Sequence, residues 1–226
     1  MMEAISGFWA QYGDILLDGL ADTGVMVGVS TVFAYLLGLP LGVLLVVTRP
    51  DGITPNRWVN RIIGWIINIG RSIPFLILMV AIMGFTELIV GTKIGVRGAI
   101  VPLVVSAAPF IARMVETSLT EVDAGVVEAA QSMGATPWQI VWKVYLPEAK
   151  PSLILGASIS IITILAYTAI AGAVGAGGLG DLAIRYGYNR KVDSMLWTTV
   201  VLIVVLVQVI QSIFSWLSRK LDKRLR

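Results

Sequence analysis

Five long apolar runs limit the folds open to this chain more than any other feature of its sequence. A helix needs about 20 predominantly apolar residues to cross the ~30 Å hydrocarbon core of a bilayer at ~1.5 Å per residue. Four of the runs reach this length, and the third has 15 uncharged residues that its polar neighbours must extend. With 57% hydrophobic residues and a mean hydropathy of +0.85, the chain is too apolar for a soluble domain. We therefore predict an all-α polytopic membrane protein with five transmembrane helices, at residues 24–47, 62–86, 98–112, 151–180 and 194–218.

The remaining residues fit around one transmembrane domain. Residues 1–22 precede the first run, and we expect them to form an interfacial helix with Phe8, Trp9 and Tyr12 at headgroup depth. No internal repeat and no linker divides residues 23–218, so they are predicted to form a single domain. Residues 219–226 follow as a basic tail.

The distribution of Lys and Arg outside the runs predicts the orientation, because basic residues accumulate on the cytoplasmic side. Eleven of them lie on the side of the C-terminus and five on the opposite side. This count places the C-terminus, the first loop and residues 128–147 in the cytoplasm and the N-terminus outside. The eleven are Arg49, Arg57, Arg61, Arg113, Lys143, Lys150, Arg219, Lys220, Lys223, Arg224 and Arg226, and the five are Lys93, Arg97, Arg185, Arg190 and Lys191.

One polar segment, residues 128–147, separates the third and fourth runs. Residues 128–133 favour a short helix, and Gly134 supplies the permissive backbone at which such a helix ends. Thr136 is expected to cap a second helix, with Pro137 as its first residue and Gln139 completing a capping box. A helix–break–helix unit on the cytoplasmic face is a shape that another protein can bind. An ordinary amphipathic surface helix is the commoner use of such a pattern.

The second helix of this polar segment is predicted to have an apolar face. Trp138, Val141, Trp142 and Tyr145 recur there at helical spacing. We therefore expect these four side chains to share one side of the helix.

Arg71 is the one charged residue inside an apolar run. A charged side chain at this depth costs at least ~2.5 kcal/mol on insertion scales, so it needs a partner or a watery cavity. Ser72 and Pro74 adjoin it, and Pro74 cannot donate the backbone hydrogen bond to Gly70. Two interpretations are open: Arg71 lines a translocation pathway and meets an anionic group, or it bonds backbone carbonyls freed by the broken helix.

Other polar side chains in the runs are weaker candidates for a pathway. Ser106 lies in the third run, and Thr163, Tyr167 and Thr168 lie in the fourth. Ser and Thr in membrane helices more often bond the preceding turn or a neighbouring helix, and that interpretation is favoured here.

The third run and the acidic residues bear on the mode of transport. Pro102 and Pro109 are expected to break the third run, and broken membrane helices are typical of transport paths. No acidic residue lies within any run, which argues against a proton-coupled secondary transporter.

The residue types that are missing exclude several chemistries. The sequence has no Cys and no His, which excludes disulfides, thiolate nucleophiles and Cys/His zinc sites. An intramembrane enzyme would have to work with Ser, Tyr and one Arg, which is no credible hydrolase set. Because no G-x-x-x-x-G-K-[ST] motif occurs, ATP must bind another subunit if transport is ATP-driven. Residues 175–180 match G-x-G-x-x-G but follow a membrane span, so we interpret them as a break or a close packing contact.

The polar segment resembles a signature of bacterial ABC importer permeases. Glu128-Ala129-Ala130, Gly134 and Leu146-Pro147 match EAA-x3-G-x9-I-x-L-P, with Val144 in place of the Ile. In that family the segment is the coupling helix between spans 3 and 4, which docks into a groove on a separate ATPase subunit. The resemblance implies an ATPase-coupling site at Glu128, Ala129, Ala130, Gly134, Ala135, Thr136, Pro137, Leu146 and Pro147.

Longer stretches resemble the membrane subunits of D-/L-methionine ABC importers. Residues 71–75, 108–116, 133–137 and 172–180 carry this resemblance, which spans residues 23–218. It implies the type I importer permease architecture in the inner membrane and import of D- and L-methionine. The implied partners are a second permease copy, two ATPase subunits that hold ATP and Mg²⁺, an external substrate-binding protein and the lipid bilayer. No cofactor and no nucleic acid is expected on this chain.

Two alternatives stay open beside this hypothesis. An importer of another small amino acid is the nearer one, because selectivity in such systems can reside in the binding protein. A stand-alone channel or secondary transporter would work without ATP and leaves the polar segment unexplained. For a pore, the pathway candidates are Arg71, Ser72, Pro74, Ser106, Pro109, Thr163, Tyr167 and Thr168.

Overall fold

The described chain consists of helices joined by turns. The computed structural model describes residues 2–221 and, within the first helix, the side chains from Gly7 onwards. Lys223, Arg224 and Arg226 of the predicted basic tail therefore lie outside the described residues. Within residues 2–221 there is no strand. The elements are α1 Met2–Val47, α2 Arg57–Ser72, α3 Phe75–Ala81, α4 Met83–Val90, α5 Gly95–Thr120, α6 Ala124–Ser132, α7 Pro137–Ile140, a π turn Val141–Tyr145, α8 Leu146–Glu148, α9 Lys150–Gly172, α10 Gly178–Leu182, a second π turn Ala183–Tyr188, and α11 Asp193–Leu221.

Four helices are long and apolar enough to cross a membrane. They are α1 over Gly7–Val47, α5, α9 and α11. A fifth span results if α2 and α3, which are bent at the Ile73–Pro74 break, are counted together. The all-helical polytopic fold with four to five spans confirms the predicted fold class.

The first helix differs from the prediction. α1 runs without interruption from Met2 to Val47, so the described residues of the predicted segment 1–22 do not form a helix separate from the first span. The predicted boundary rested on polar residues before the apolar run. Helical backbone hydrogen bonds continue through polar and apolar stretches alike, so a change of composition alone does not end a helix.

The second apolar run forms more than one helix. α2 begins at Arg57, where the Asn56 side chain caps it by accepting a hydrogen bond from the Val59 N–H at 3.1 Å. The helix ends before Pro74, because the residue that precedes a proline is biased towards extended backbone. Ile73 has that conformation, with φ −88° and ψ 121°.

The third run forms an unbroken helix. α5 extends the run at both ends, as its short length required, but it passes through Pro102 and Pro109. The predicted break of this run is therefore wrong. In membrane helices, neighbouring helices, hydroxyl side chains and local adjustments satisfy the backbone groups that a proline frees.

The fourth run ends earlier than predicted. α9 stops at Gly172, because Gly175, Gly177 and Gly178 follow with φ near +80°, a conformation that other residues adopt only with strain. α10 then packs directly on α9, since a Cβ on Gly180 would lie 2.5 Å from the Cα of Ala169. The glycines thus both break the helix and permit close packing.

One compact unit combines Met1–Val32, Pro74–Val104 and Ile161–Val209. Its apolar core is formed by Leu16, Leu182 and Met195. A buried hydroxyl adds a polar tie: Thr23 donates to the carbonyl oxygen of Gly19 at 2.8 Å and accepts from the Leu179 N–H at 2.9 Å. This bond holds the start of α10 against α1.

A second compact unit combines Phe33–Ile73, Val105–Ser160 and Ile210–Arg226. Its core is formed by Leu45, Ile67 and Ala112. α1 and α5 approach closely at two glycines one helical turn apart, because Gly38 faces Ala108 and Gly42 faces Ala112. Small residues at this spacing let membrane helices pack backbone to backbone.

We predict that Gly42→Ala destabilises the protein by about 1–3 kcal/mol, the usual cost of overpacking. A Cβ at this position would lie 2.6 Å from the carbonyl oxygen of Ala112 and 2.6 Å from the Cβ of Val115. Thermal unfolding in detergent measures the effect. Gly28→Ala is the matched control on the same helix, because a Cβ there meets nothing within 4 Å. Equal melting temperatures for the two variants would contradict the packing described here.

Candidate functional site

The first helix of the polar segment is longer than predicted. α6 begins at Ala124 rather than at Glu128, because the Asp123 carboxylate accepts a hydrogen bond from the Gly125 N–H at 2.8 Å and caps it. Glu128 and Ala129 are exposed on this helix, whereas Ala130 is buried. The signature residues Glu128 and Ala129 are thus exposed to a binding partner, and the buried Ala130 packs the helix against the rest of its unit.

Gly134 ends this helix, as predicted. Its φ of +77° is left-handed, and its N–H donates to the carbonyl oxygen of Gln131 at 2.9 Å. The Ala135 N–H reaches back to the carbonyl oxygen of Ala130 at 3.1 Å. A Cβ on Gly134 would meet nothing within 4 Å, so backbone conformation alone favours glycine here.

The capping box of the next helix is confirmed. The Thr136 N–H donates to the Gln139 side-chain oxygen at 2.9 Å, and the Gln139 N–H donates to the Thr136 hydroxyl at 3.4 Å. Pro137 is the first residue of α7. The direction in which the second helix leaves Gly134 is therefore fixed by local hydrogen bonds.

A π turn at Val141–Tyr145 interrupts the second helix, which the sequence did not predict. The Leu146 N–H bonds the carbonyl oxygen of Val141, five residues earlier. Pro147 has no N–H, and its ring crowds the carbonyl four residues before it. We attribute the wider turn to this proline, since π turns accommodate such local mismatches. Leu146 and Pro147 themselves are half-buried.

The predicted apolar face of the second helix divides into two. Val141 and Tyr145 are buried, whereas Trp138 and Trp142 are 70% and 53% exposed. The two indole rings contact each other edge to face, with centroids 5.4 Å apart. An exposed aromatic pair of this kind is typical of a binding surface rather than of a core.

A cavity of about 230 Å³ lies between the loop that joins α1 to α2 and the polar segment. Arg49 and Asp51 line it from the loop, and Glu128 and Tyr145 line it from the polar segment. Burial raises the pKa of the Tyr145 phenol, Asp51 raises it further, and Arg49 opposes the rise. The predictions missed Arg49 as a site residue, because its charge served only to establish orientation.

Four pathway candidates belong to the unit that contains the polar segment. Arg71 is exposed in the last turn of α2 and has no hydrogen bond or ion pair with any described residue. Its predicted alternative role in bonding freed carbonyls therefore has no counterpart in the described structure. The Ser72 hydroxyl donates to the carbonyl oxygen of Asn68 at 2.7 Å. Ser106 is buried, and Pro109 packs against Gly70, where a Cβ would lie 2.7 Å from the proline ring.

The other four pathway candidates belong to the first unit, which contains Pro74–Val104 and Ile161–Val209. Pro74 precedes the first residue of α3, and the ring of Phe75 stacks on Tyr167 with centroids 4.6 Å apart and planes 5° from parallel. Thr168 donates to the carbonyl oxygen of Leu165 at 2.7 Å, which is the local bond that the sequence favoured. Thr163 lies on α9. Tyr167 thus contacts the segment that follows the break of the second run.

Comparison with known families identifies the chain. The family model of the binding-protein-dependent transport system inner membrane component matches residues 29–226. The chain belongs to that family. The chain is similar to the probable D-methionine transport system permease protein MetI of Vibrio cholerae, with 50% identity over 97% of this chain and 98% of that protein. The D-methionine transport system permease protein MetI of Escherichia coli strain K12 is 53% identical over 70% of this chain and 73% of that protein.

Solved structures agree with this family membership. A chain of the MetNI methionine ABC transporter in an inward-facing conformation has 49% sequence identity to this chain and a TM-score of 0.93. The match covers 94% of this chain and 99% of the transporter chain. A chain of an amino acid ABC transporter crystallised with histidines has 19% identity and a TM-score of 0.76, over 93% and 96% of the two chains. The second likeness extends to the fold alone.

Proposed function

We propose that this chain is the membrane permease of an ATP-driven importer that carries D- and L-methionine across the inner membrane. The observation that carries this conclusion is the 49% identity to a chain of a methionine ABC transporter across 94% of the sequence. The relatives named D-methionine permeases support the same substrate. The permease is not an enzyme, since ATP hydrolysis belongs to separate ATPase subunits of the complex.

The full complex that we propose contains two copies of this permease, two ATPase subunits and an external substrate-binding protein. The distribution of Lys and Arg supports an orientation with the N-terminus outside and the polar segment in the cytoplasm. A single permease domain at residues 23–218 is part of the same proposal. ATP and Mg²⁺ would bind the ATPase subunits, on the side that the polar segment faces.

The polar segment is the proposed ATPase-coupling site. Its exposed surface offers Glu128, the Gly134 turn and the Trp138–Trp142 pair, while Ala130 and Tyr145 anchor it from within. Closure of the two ATPases on ATP would draw these segments together. The rigid capping box and the fixed left-handed turn would pass that movement to the membrane helices rather than absorb it.

Arg71 is the leading pathway residue of the proposal. It lies in the last turn of α2, two residues before Ile73 at the break, and its guanidinium is unpaired among the described residues. A guanidinium in such a place favours a carboxylate, which every amino-acid substrate carries. The break beside it is the kind of discontinuity that marks binding and movement in transporters.

The function predicts that Gly134→Val uncouples ATP hydrolysis from uptake. Valine in the left-handed region costs about 1–2 kcal/mol, so the helix end would rearrange and misalign the coupling site. Methionine uptake and ATP hydrolysis are measured together in proteoliposomes that contain the complex and the binding protein. Gly84→Val is the control, because that glycine lies on α4 with no positive φ and open space around it. Wild-type uptake per ATP in the Gly134→Val complex would refute the assigned coupling role.

Arg71→Met is expected to lower methionine uptake roughly tenfold or more, since a hydrogen bond to a charged group contributes about 1.5–3 kcal/mol. Assembly with the ATPase should not change, because Arg71 has no partner among the described residues. Uptake in proteoliposomes and the yield of co-purified ATPase give the two readouts. Arg57→Met at the exposed opposite end of α2 serves as the control. Normal uptake by the Arg71→Met complex would remove this residue from the pathway.

A further inference from the structure

Glu116 is the one charged side chain that falls in the buried class among the described residues. It lies on α5, close to the start of the polar segment, and its side chain is 10% exposed. Its Oε1 accepts from the Arg49 guanidinium at 2.8 Å, and its Oε2 accepts from Arg113. Both carboxylate oxygens are therefore occupied by charge-assisted hydrogen bonds.

The two arginines that bind Glu116 differ in their other surroundings: Arg113 has a second hydrogen-bond partner, whereas Arg49 lines a cavity. The second guanidinium nitrogen of Arg113 donates to the Asn68 side-chain oxygen of α2 at 2.8 Å. Arg49 instead lines the cavity of about 230 Å³ that Asp51 and Glu128 also line. Arg49 and Arg113 thus share the single negative charge of Glu116. Arg49 also lies beside the carboxylates of Asp51 and Glu128, which line the same cavity.

Glu128 is unpaired although a cation lines the same cavity. No described residue forms an ion pair or a hydrogen bond with the Glu128 side chain, and Asp51 has no ion pair either. Burial explains why Arg49 pairs with Glu116 instead. The attraction between opposite charges is stronger away from water, and a buried carboxylate that loses its partner is strongly destabilised.

We propose that Glu116 is a positioning residue for coupling, which holds Arg49 away from Glu128 and so keeps Glu128 free to contact the ATPase subunit. This inference rests on the proposed function of the polar segment. It assigns a role to a contact between residues 67 positions apart that lies outside the signature itself. Neutralising Glu116 would release Arg49 into the cavity, where Glu128 is an available partner.

The proposal predicts a loss that a second substitution reverses. In the complete complex, Glu116→Gln should lower methionine uptake per ATP at least about fivefold, the lower end of typical coupling effects between sites. Adding Arg49→Met to Glu116→Gln should restore most of that ratio, because no released cation remains to neutralise Glu128. Glu121→Gln is the matched control, since Glu121 is an exposed glutamate that follows α5 and has no ion pair in the described structure.

A purely structural role for Glu116 gives the opposite result. Removing Arg49 as well would then leave the network weaker, and the double variant would be no better than Glu116→Gln alone. That outcome, or a wild-type ratio in the Glu116→Gln complex, would overturn the proposal. If Glu116→Gln fails to assemble with the ATPase, Glu116→Asp replaces it, because it keeps the charge but shortens the reach to Arg49. Absence of rescue by Arg49→Met in that background would overturn the proposal equally.

Failure of the proposed function is distinguishable from failure of the inference about Glu116, because it would be seen in the wild-type complex. It would appear as absent methionine uptake by the wild-type complex supplied with ATP and a methionine-loaded binding protein. Failure of the inference about Glu116 appears only in the comparison among variants of a complex that transports methionine.

Discussion

Water is absent from the hydrocarbon core of a bilayer, so every backbone N–H and C=O of a spanning segment must find its partner within the protein. This constraint explains why α1, α5, α9 and α11 are long continuous helices. It also explains where hydroxyl groups bond: Thr168 satisfies its hydroxyl on the preceding turn of its own helix. Pro102 and Pro109 do not break α5, because a helix that remains intact leaves fewer backbone groups unpaired than one that unwinds.

Local signals in the sequence predicted local structure well. The apolar runs located the spans, and the left-handed Gly134 and the Thr136 capping box are both confirmed. Boundaries that depend on more than local composition were predicted poorly. The continuation of residues 2–22 into the first span depends on backbone continuity, and the end of α9 at Gly172 depends on packing against α10. The π turn before Pro147 had no signal except that proline.

The candidate site was predictable in its chemistry but not in its partners. The signature residues could be named from spacing, yet spacing alone could not show that Tyr145 turns inward while Trp138 and Trp142 remain exposed. The pairing of Arg49 with Glu116 joins residues 67 positions apart, and only the fold brings them together. The contact joins the loop beside the proposed coupling surface to the long helix α5.

The proposed function requires that the polar segment contacts an ATPase subunit in the cytoplasm. Because the chain contains no cysteine, Trp142→Cys introduces a unique thiol at an exposed position to which a photoreactive maleimide can be attached. Ile94→Cys provides the same thiol at a site 64% exposed on the predicted outer side. In the assembled complex, illumination should cross-link the ATPase to position 142 and not to position 94. A cross-link to the ATPase from position 94, or none from position 142, would show that the polar segment is not the ATPase contact.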